Sequence, residues 1–459
     1  MNTMPHMTLE NITKACEGTY YGDTALLSAE ITGAVMDSRQ IEEGYLFFPI
    51  KGERVDGHDF IPSVFEKGAL ATLSEKKLDT DKPYILVNST TEAMKKLARF
   101  YRETLDIKVV GITGSVGKTS TKEMIASVLE EKYSVLKTAG NYNNEIGLPL
   151  TIFRIRREHQ IAVLEMGISD FQEMHRLSSM AIPDIGVITN IGLCHLENLG
   201  TRDGILKAKT EMFEHLKEGG QVILNGDDDK LCTKTEVMGK SPVFYGLDKL
   251  GLLEKTVYAT DVKNHGFLGM EAMIHTPKGE FLVHISIPGE HNVYNALAAT
   301  AVGLELGENL EEIKAGIEKA TTIAGRTNLI HHKDMVIIDD CYNANPVSME
   351  AALDVLSHSD GRTIAVLGDM GELGKEEEVL HEGVGKAVAD KGIQVLFCAG
   401  KLAKAYAKMA QNVTEVHYFE NREDMTKELL DYVQAGDTIL VKASHFMEFP
   451  KVIEALTNK

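Results

Sequence analysis

The fold of this chain is decided by the stretch Val109-Val110-Gly111-Ile112-Thr113-Gly114-Ser115-Val116-Gly117-Lys118-Thr119-Ser120. An apolar run ends in a glycine-rich turn, and a helix-like segment follows at residues 121–131. Such a turn lets backbone N–H groups close on a polyphosphate, while the N-terminus of the next helix adds positive potential. The lysine of such a loop meets the outer phosphates, and a hydroxyl beside it can bind magnesium. The strict P-loop has glycine where this chain has Ile112, so the stretch is a variant phosphate loop.

Length, charge and cysteine content bound the class of protein. With 459 residues the chain suits two to four domains. Its net charge of −20 argues against a nucleic-acid or anionic-membrane partner. The five cysteines include no CxxC pair, which indicates reduced thiols in a cytosol. We find no signal sequence and no apolar stretch long enough to span a membrane, so we expect neither secretion nor membrane insertion.

Apolar runs alternate with helical patterns over most of the chain. In residues 105–322 the runs lie at 108–112, 161–164, 185–189 and 221–224, and in residues 323–459 at 336–339, 363–367, 395–398 and 438–441. Continuous runs of this length are typical of strands buried on both faces, so we predict two separate parallel α/β sheets. Residues 1–104 carry shorter strand-like runs between glycine-rich turns. Ligands are expected at the carboxyl ends of the strands and between domains.

Two polar side chains come directly after buried runs. Glu165 ends the run at 161–164, where an acid that organises magnesium is expected one crossover after a phosphate loop. A solvated acid at a strand end is the alternative. His195 follows the run at 185–189, and a lone histidine in such a place is more often structural than functional. The residues alone leave both choices open.

An apolar helical stripe contains a lysine. On a helix, Leu206, Lys209, Phe213 and Leu216 share one face. Burial disfavours the charge of a lysine, so Lys209 either has a special role or extends its amine to the surface.

Two asparagines, Asn292 and Asn295, begin a predicted helix that follows a strand-like run at 282–287. Residues three apart share a helix face. Their amides can donate to and accept from an adenine edge, or they can cap the helix start.

Polar groups also mark the third region and the first. Arg326 is a candidate cation for a transferring phosphoryl group, and Asp340 follows a predicted strand, where a carboxylate can accept ribose hydroxyls. The alternative is a capped turn beside a domain linker.

In the first region, Asp37, Ser38 and Arg39 form, by themselves, a polar turn.

Taken in order, these segments resemble the Mur ligases, ATP-dependent amide-forming enzymes of bacterial cell-wall precursor synthesis. The segments that carry the resemblance are residues 37–39, 111–120, 140–149, 165–167 and 291–295. Residues 339–346 and 367–374 are closest to the branch that joins D-alanyl-D-alanine to UDP-N-acetylmuramoyl-tripeptide. The resemblance runs through all three regions.

The resemblance implies a three-domain α/β protein. Residues 1–104 would be a small α/β domain that binds the UDP-sugar. Residues 105–322 would be a central P-loop domain with a parallel sheet that binds ATP. Residues 323–459 would be a Rossmann-like α/β domain that closes on ATP and the incoming dipeptide. A monomer in the cytoplasm is the default for this type.

The resemblance also implies roles for the candidate residues. ATP with two Mg²⁺ ions is the expected cofactor set, with Thr119 at the first ion and Glu165 and His195 at the second. Lys209 matches a lysine that many such enzymes carry as a carbamate, a group able to hold magnesium. The implied catalytic residues are Lys118, Lys209, His195 and Arg326. The implied nucleotide contacts in the loop are Gly114, Ser115, Gly117, Lys118, Thr119 and Ser120. Asn292 and Asn295 would contact adenine, Asp340 would contact ribose, and Arg326 would lie near the γ-phosphate. The implied substrate contacts are Asp37, Ser38, Arg39, Asn144 and Lys442.

One motif departs from the family. Near the C-terminus many relatives have Lys-Gly-Ser-Arg, whereas this chain has Lys442-Ala443-Ser444-His445. A histidine is mostly neutral near pH 7, unlike arginine, so His445 need not perform the role of that arginine.

The expected reaction forms an acyl phosphate from ATP and the tripeptide carboxylate. The amine of D-alanyl-D-alanine then attacks this acyl phosphate.

Rival functions are a folylpolyglutamate synthase, another muramyl ligase, a P-loop GTPase and a non-catalytic nucleotide-binding regulator. The guanine-reading Asn-Lys-x-Asp signature of GTPases is absent. No motif indicates whether the third residue of the acceptor peptide is lysine or diaminopimelate.

Overall fold

The computed structural model describes residues 3–247 and 254–459. Over these residues the chain forms three α/β regions, with sheets of five, nine and six strands. The predicted fold class is thereby confirmed. Within the two described ranges, every helix is too short or too polar to cross a bilayer.

The first region is a small sheet with helices packed against it. Its elements are α1 (Leu9–Ala15), β1 (Thr19–Tyr21), β2 (Gly33–Val35), β3 (Tyr45–Phe47), α2 (Ile61–Glu66), β4 (Ala71–Ser74), β5 (Tyr84–Leu86) and α3 (Thr90–Thr104). The strand order is β1-β5-β4-β3-β2, and only β1 runs antiparallel to its neighbour. The side chain of Ser89 caps α3 by accepting a hydrogen bond from Glu92 N, which satisfies a free N–H group of the first turn.

The central region contains the phosphate loop. Its elements are β6 (Lys108–Thr113), α4 (Lys118–Leu129), β7 (Val135–Lys137), α5 (Gly147–Ile152), β8 (Ile161–Glu165), α6 (Glu173–Ala181), β9 (Ile185–Ile188), α7 (Leu196–Leu199), α8 (Arg202–Thr210), β10 (Gln221–Asn225), β11 (Val243–Gly246), β12 (Val257–Asn264), β13 (Met270–Thr276), β14 (Gly279–Ile285), α9 (His291–Glu305) and α10 (Leu310–Lys319). The strand order is β14-β13-β12-β11-β10-β9-β6-β8-β7.

The expectation of a parallel central sheet is correct for β7 to β12 and wrong at one edge. There β13 runs antiparallel to both β12 and β14. The parallel strands β8 and β9 are buried along their whole length, as a sheet covered on both faces requires. Along β14, by contrast, buried and exposed residues alternate toward its end, because one face is open to solvent.

The third region has the predicted alternation and two further strands. Its elements are β15 (Asn328–His332), β16 (Met335–Asp339), α11 (Pro346–Ser357), β17 (Arg362–Gly368), α12 (Glu377–Asp390), β18 (Val395–Ala399), α13 (Ala403–Ala410), β19 (Glu415–Phe419), α14 (Arg422–Tyr432), β20 (Asp437–Lys442) and α15 (Pro450–Asn458). The strand order is β15-β16-β20-β17-β18-β19. Two strands were not predicted: β15, which is antiparallel to β16, and β19. The residues of both are only partly buried or exposed and give no continuous apolar run.

A continuous apolar core joins the first region to the central one, and two contacts reinforce it. Tyr101 Oη of α3 donates a hydrogen bond of 2.7 Å to Ile155 O. The buried guanidinium of Arg102 donates to Asp184 Oδ2 at 3.2 Å. The first region is thus fixed to the central one by packing as well as by the chain.

Candidate active site

The phosphate loop joins β6 to the N-terminus of α4. Gly117 has φ +81°, a left-handed conformation that glycine adopts readily. Lys118 begins the helix, and its Nζ donates a hydrogen bond of 2.9 Å to Gly114 O. Thr119 is largely buried in the first turn. The loop therefore presents backbone N–H groups, a lysine and a hydroxyl at a helix N-terminus, which is a site for a polyphosphate.

Two residues after β9 hold this loop in place, and sequence reasoning missed both. Val116 N donates a hydrogen bond of 2.9 Å to Asn190 Oδ1, and Thr189 Oγ1 donates one of 2.6 Å to Val116 O. They reach the loop because β9 pairs directly with β6. A strand order of this kind cannot be read from the order along the chain.

A cavity of about 170 Å³ lies on one side of the phosphate loop. Its lining combines central residues with residues of the third region: Val116, Gly117, Thr119, Ser120, Asn190, Tyr245, His291, Tyr294, Asn295, Arg326, Asp340, Val347, Ser348 and Lys442. Burial lowers the pKa of His291, so its ring is neutral near pH 7. His291 and Tyr294 lie in a segment that carried the family resemblance but had not been assigned a role, and Tyr245 lies outside every such segment.

Asn292 and Asn295 belong to one hydrogen-bonded network on α9. Asn295 Nδ2 donates to Asn292 Oδ1 at 2.9 Å, and Asn292 Nδ2 donates to Pro288 O at 2.8 Å. Asn295 Oδ1 accepts from Thr121 Oγ1 of α4 at 2.7 Å. Asn295 lines the cavity and Asn292 does not. Asn292 therefore lies behind Asn295 and orients its amide.

The third region contributes a buried ion pair to the same cavity. Lys442 is 2% exposed, and its Nζ donates to Asp340 Oδ2 at 2.6 Å. The two residues meet because β16 and β20 are adjacent and parallel, so their carboxyl ends coincide. Lys442, for which the resemblance implied a substrate contact, lies beside the candidate ribose acid.

A second cavity, of about 390 Å³, lies on the other side of the loop. It shares Val116, Gly117, Thr119, Arg326 and Ser348 with the first cavity. Its further lining includes Ser115, Lys118, Asn143, Asn144, Glu165, His195 and Tyr342. The structure thus brings the candidate metal ligands Thr119, Glu165 and His195 to one space.

Glu165 is a buried acid and not a solvated one. It is 2% exposed, and Oε1 accepts a hydrogen bond of 2.8 Å from Asn143 Nδ2. Its other oxygen, Oε2, is buried and has no hydrogen-bond partner among the described residues. A buried carboxylate oxygen without a partner is costly unless a cation or donor completes it.

His195 and Glu372 join the central and third regions. His195 Nδ1 lies 2.6 Å from Glu372 Oε2, although the pair lacks the alignment of a hydrogen bond. The neighbouring His195 lowers the pKa of the Glu372 carboxyl. Both residues have left-handed backbones, with φ +52° and +60°. Glu372 lies in a segment that carried the family resemblance but had not been assigned a role.

Lys209 is fully enclosed at the end of α8. It is 1% exposed, so it does not extend its amine to the surface. Burial, opposed by Cys194 and reinforced by the charge of Lys118, lowers its pKa to about 8. The expected continuous stripe is interrupted, because α8 ends at Thr210 and Glu211–His215 forms a 3-10 helix.

Arg326 links the two cavities. Its Nη2 donates to Thr119 Oγ1 at 3.4 Å, and the guanidinium stacks over the Tyr342 ring at 4.0 Å. The His445 ring lies on the same aromatic side chain, with its centroid 6.1 Å from that of Tyr342. His445, which departs from the family motif, is therefore part of this cluster.

The candidate substrate residues of the first two regions lie apart from one another. Asp37 caps the 3-10 helix Ser38–Gln40, and the hydrogen bonds from Arg39 lower its pKa to about 2. None of the three residues lines either cavity. Asn144 lines the larger one, and its Oδ1 accepts a 2.8 Å hydrogen bond from Gly147 N at the start of α5.

Comparison with known proteins identifies the family. Three family models match in sequence: "Mur ligase family, catalytic domain" at residues 30–105, "Mur ligase middle domain" at 112–303, and "Mur ligase, glutamate ligase domain" at 325–445. The chain is 36% identical over 455 residues to the UDP-N-acetylmuramoyl-tripeptide–D-alanyl-D-alanine ligase of Escherichia coli K12, with 99% of each chain covered.

Solved structures agree with the sequence match. A crystal structure of MurF from Acinetobacter baumannii superposes with a TM-score of 0.91 at 32% identity and covers 100% of both chains. The MurF ligase of Thermotoga maritima, solved in complex with ADP, superposes with a TM-score of 0.80 at 31% identity and covers 93% of this chain and 97% of that one. The chain therefore belongs to the Mur ligase family, in its MurF branch.

Proposed function

We propose that this chain is a cytoplasmic, ATP-dependent ligase that joins D-alanyl-D-alanine to UDP-N-acetylmuramoyl-tripeptide in peptidoglycan precursor synthesis. One observation carries the proposal: two cavities meet at the phosphate loop, and they share Thr119 and Arg326. A site that transfers the γ-phosphoryl group to a second substrate needs this arrangement, with the nucleotide on one side and the acceptor on the other.

In this proposal the smaller cavity holds the nucleoside of ATP. The amide of Asn295 faces adenine, and Asp340, fixed by Lys442, accepts the ribose hydroxyls. Lys118 and the loop N–H groups bind the outer phosphates. The nucleotide is therefore bound by the second and third regions together.

The donor set of the larger cavity fits magnesium. Glu165 Oε2 is buried without a partner among the described residues, and carboxylate and hydroxyl oxygens are ligands that Mg²⁺ prefers. We assign Thr119 to one ion, and Glu165 and His195 to another. A carbamate on Lys209, which is not itself in the cavity lining, would be a further ligand of the second ion. The bound ions would neutralise the charge between the phosphates and the acceptor carboxylate.

The depressed pKa of Lys209 supports the carbamate. Only a neutral amine attacks carbon dioxide, and a pKa of about 8 leaves a large neutral fraction near physiological pH. The product exchanges a buried cation beside Lys118 for an anion, which removes an unfavourable interaction.

The reaction then follows from the positions of these groups. The terminal carboxylate of the tripeptide attacks the γ-phosphorus of ATP, and ADP leaves, giving an acyl phosphate. Arg326 stabilises the charge that develops on the transferring group. The amine of D-alanyl-D-alanine attacks the acyl carbon, and the tetrahedral intermediate expels phosphate. Tyr342 and Ser348 of the third region line the site. This region thereby excludes water that would hydrolyse the acyl phosphate.

We further propose a monomer with three functional domains. Residues 1–104 bind the UDP-sugar through Asp37, Ser38 and Arg39, with Asn144 at the junction with the nucleotide site. Residues 105–322 bind ATP, and residues 323–459 close on ATP and the dipeptide.

The test is phosphate release from ATP with UDP-N-acetylmuramoyl-tripeptide, with and without D-alanyl-D-alanine. We expect release that needs both substrates, with the pentapeptide product detected by mass and no release by Lys118→Ala. Separate assays with the lysine and the diaminopimelate tripeptide identify the third residue. ATP binding without release with either tripeptide would overturn the proposal in favour of a related ligase or a regulator.

A further inference from the structure

We infer that Glu372 of the third region is a positioning residue for His195 of the central region, so that contact between the two regions completes the metal site. This inference rests on the proposed function, because it takes His195 as a metal ligand. Glu372 comes from a different domain and contacts the metal ligand His195, not the metal ion itself.

The contact is short and lies between two regions. Glu372 Oε2 lies 2.6 Å from His195 Nδ1, with the histidine side chain 21% exposed and the carboxylate 60% exposed. Two residues further on, a Cβ built on Gly374 would lie 3.6 Å from the Cα of Glu197 in α7. The loop that carries Glu372 thus packs on the turn that carries His195.

Both residues have a backbone that ordinary side chains rarely adopt. The left-handed φ angles of His195 and Glu372 each cost about 1 kcal/mol or more, and such strain persists where the surroundings impose it, often at functional sites. The strain occurs on both partners of one contact.

The third region holds the Glu372 loop firmly through the residues just before it. Asp369 Oδ1 accepts hydrogen bonds from Leu402 N and Ala403 N at 3.1 and 2.7 Å. Met370 N donates to His381 Nε2 at 3.0 Å. Gly371 N donates to Ser444 Oγ at 2.9 Å. Glu372 therefore moves only when the third region moves.

The charge of a carboxylate 2.6 Å from Nδ1 favours the tautomer that carries its proton on Nδ1, even where the pair is not aligned as a hydrogen bond. With the proton on Nδ1, the lone pair of Nε2 is free to bind a metal ion, and the ring is held in one orientation. When the third region moves away, His195 loses this partner. Metal affinity should then depend on domain closure.

The experiment measures Mn²⁺ binding to the full chain, in the presence of a non-hydrolysable ATP analogue, by electron paramagnetic resonance. We expect Glu372→Gln and Glu372→Ala to weaken Mn²⁺ binding by about 10- to 100-fold, the effect typical of residues that orient a ligand. Excess Mg²⁺ should restore much of the ligase activity that the Glu372 variants lose. The control is Glu376→Gln, an exposed acid in the same segment, which should leave binding unchanged.

The variant His195→Ala separates this inference from the proposed function. If His195→Ala weakens Mn²⁺ binding and both Glu372 variants do not, Glu372 is not a positioning residue. If His195→Ala itself leaves Mn²⁺ affinity unchanged, the metal assignment of the proposed function is wrong and this inference falls with it. An unchanged thermal midpoint in Glu372→Gln excludes a purely structural effect.

A second proposal rests on a different observation, a cluster of His175, Glu214 and His215 on the surface of the central region. We propose that this cluster binds a zinc-type divalent ion. Their ligand atoms all lie within 4.8 Å of one another, and among the described residues no other group of three or more His, Cys, Asp or Glu meets that criterion. No function assigned above uses these residues.

One pair of ligand atoms already has the spacing of a tetrahedral site. His215 Nε2 lies 3.3 Å from His175 Nδ1, and two ligands at about 2.0–2.1 Å from a tetrahedral zinc ion are roughly 3.3 Å apart. Glu214 Oε2 lies 2.7 Å from His175 Nδ1, a hydrogen-bond distance that would lengthen by about 0.6 Å around an ion. Two imidazoles and a carboxylate are ligands that zinc prefers.

The two elements that carry these ligands are already fixed to each other. Glu211, which begins the 3-10 helix, accepts hydrogen bonds from Gln172 N and His175 N at 3.2 and 3.4 Å. The binding of an ion at this cluster therefore requires little rearrangement of the backbone.

The test is titration of the chelator-treated full chain with ZnCl₂ by isothermal calorimetry. We expect the double variant His175→Ala/His215→Ala to lose one bound equivalent relative to the unsubstituted chain. The control is His265→Ala/His284→Ala, another neighbouring pair, with ring centroids 6.4 Å apart, which should keep it. Equal stoichiometry in the first double variant and the unsubstituted chain would overturn the proposal.

Discussion

The amine of Lys209 is enclosed at the end of α8, within the electrostatic influence of Lys118. Burial keeps its pKa near 8, so that at pH 8 about half of the amine is neutral, against well under about 1% for a lysine of ordinary pKa. At the scale of single residues, this property makes Lys209 the one candidate for covalent modification that the proposed mechanism uses.

We predict one carbamate per chain on Lys209. With ¹³C-labelled bicarbonate at pH 8, a single carbamate carbon signal should appear in the NMR spectrum and disappear in Lys209→Met. Lys207→Met is the matched control, because Lys207 is exposed on the same helix. A signal that survives in Lys209→Met would assign the modification elsewhere.

Glu308 makes the stability of the folded chain depend on pH. Both its carboxylate oxygens are buried without hydrogen-bond partners among the described residues, and burial, reinforced by Glu312, raises its pKa from 4.5 to about 7. Between these two pH values the folded chain binds more protons than the unfolded chain, so stability falls as the pH rises.

We predict that Glu308→Gln stabilises the protein at pH 8 but not at pH 4.5. The gain at pH 8 should be about 2 to 3 kcal/mol, because the amide carries no charge to bury. Thermal midpoints at both pH values measure it. Glu305→Gln, an exposed acid at the end of α9, should change neither midpoint. Equal shifts of Glu308→Gln at both pH values would contradict the argument.

At the scale of elements, the phosphate loop depends on the close approach of β6 and β9. A Cβ at Gly114 would lie 1.9 Å from Thr189 Oγ1, the hydroxyl that holds the loop through Val116 O. No side chain fits at position 114 unless this hydroxyl moves.

We predict that Gly114→Ala weakens ATP binding by about tenfold or more, which is about 1.4 kcal/mol or above. Isothermal calorimetry with ATP measures the loss. Adding Thr189→Ala should restore part of the affinity, because it removes the clashing atom. Gly383→Ala is the control, since nothing lies within 4 Å of a Cβ there. If Gly114→Ala binds ATP normally, the loop is not held as described.

At the scale of the whole molecule, the site exists only where the second and third regions meet. Arg326, which follows the central region in the chain, contacts Thr119 of α4 and stacks on Tyr342 of the third region. The position of Arg326 therefore depends on how closely the two regions approach each other.

We predict that Arg326→Ala lowers kcat by about 100- to 1000-fold, the cost of removing a group that stabilises transition-state charge, while ATP affinity changes little. Steady-state kinetics and calorimetry separate the two effects. Arg99→Ala, which breaks an exposed pair with Glu103 on α3, should leave both constants unchanged. A large loss of ATP affinity with normal kcat would make Arg326 a binding residue instead.

Local patterns of apolar and polar residues were enough to predict the phosphate loop, the buried parallel strands and the place of Glu165 at a strand end, because each of these depends on neighbouring residues in the chain. It also supplied the family, since the motifs occur in a characteristic order. Local patterns did not reveal the antiparallel strands β13 and β15, whose residues are only partly buried.

Contacts between residues that are distant in the sequence became known only from the three-dimensional structure. Thr189 and Asn190 hold the loop because β9 is a neighbour of β6, and Lys442 joins Asp340 because β20 is a neighbour of β16. Glu372 meets His195 because two domains pack together. Sheet order and domain packing are set by the burial of whole surfaces, which no single segment of sequence contains.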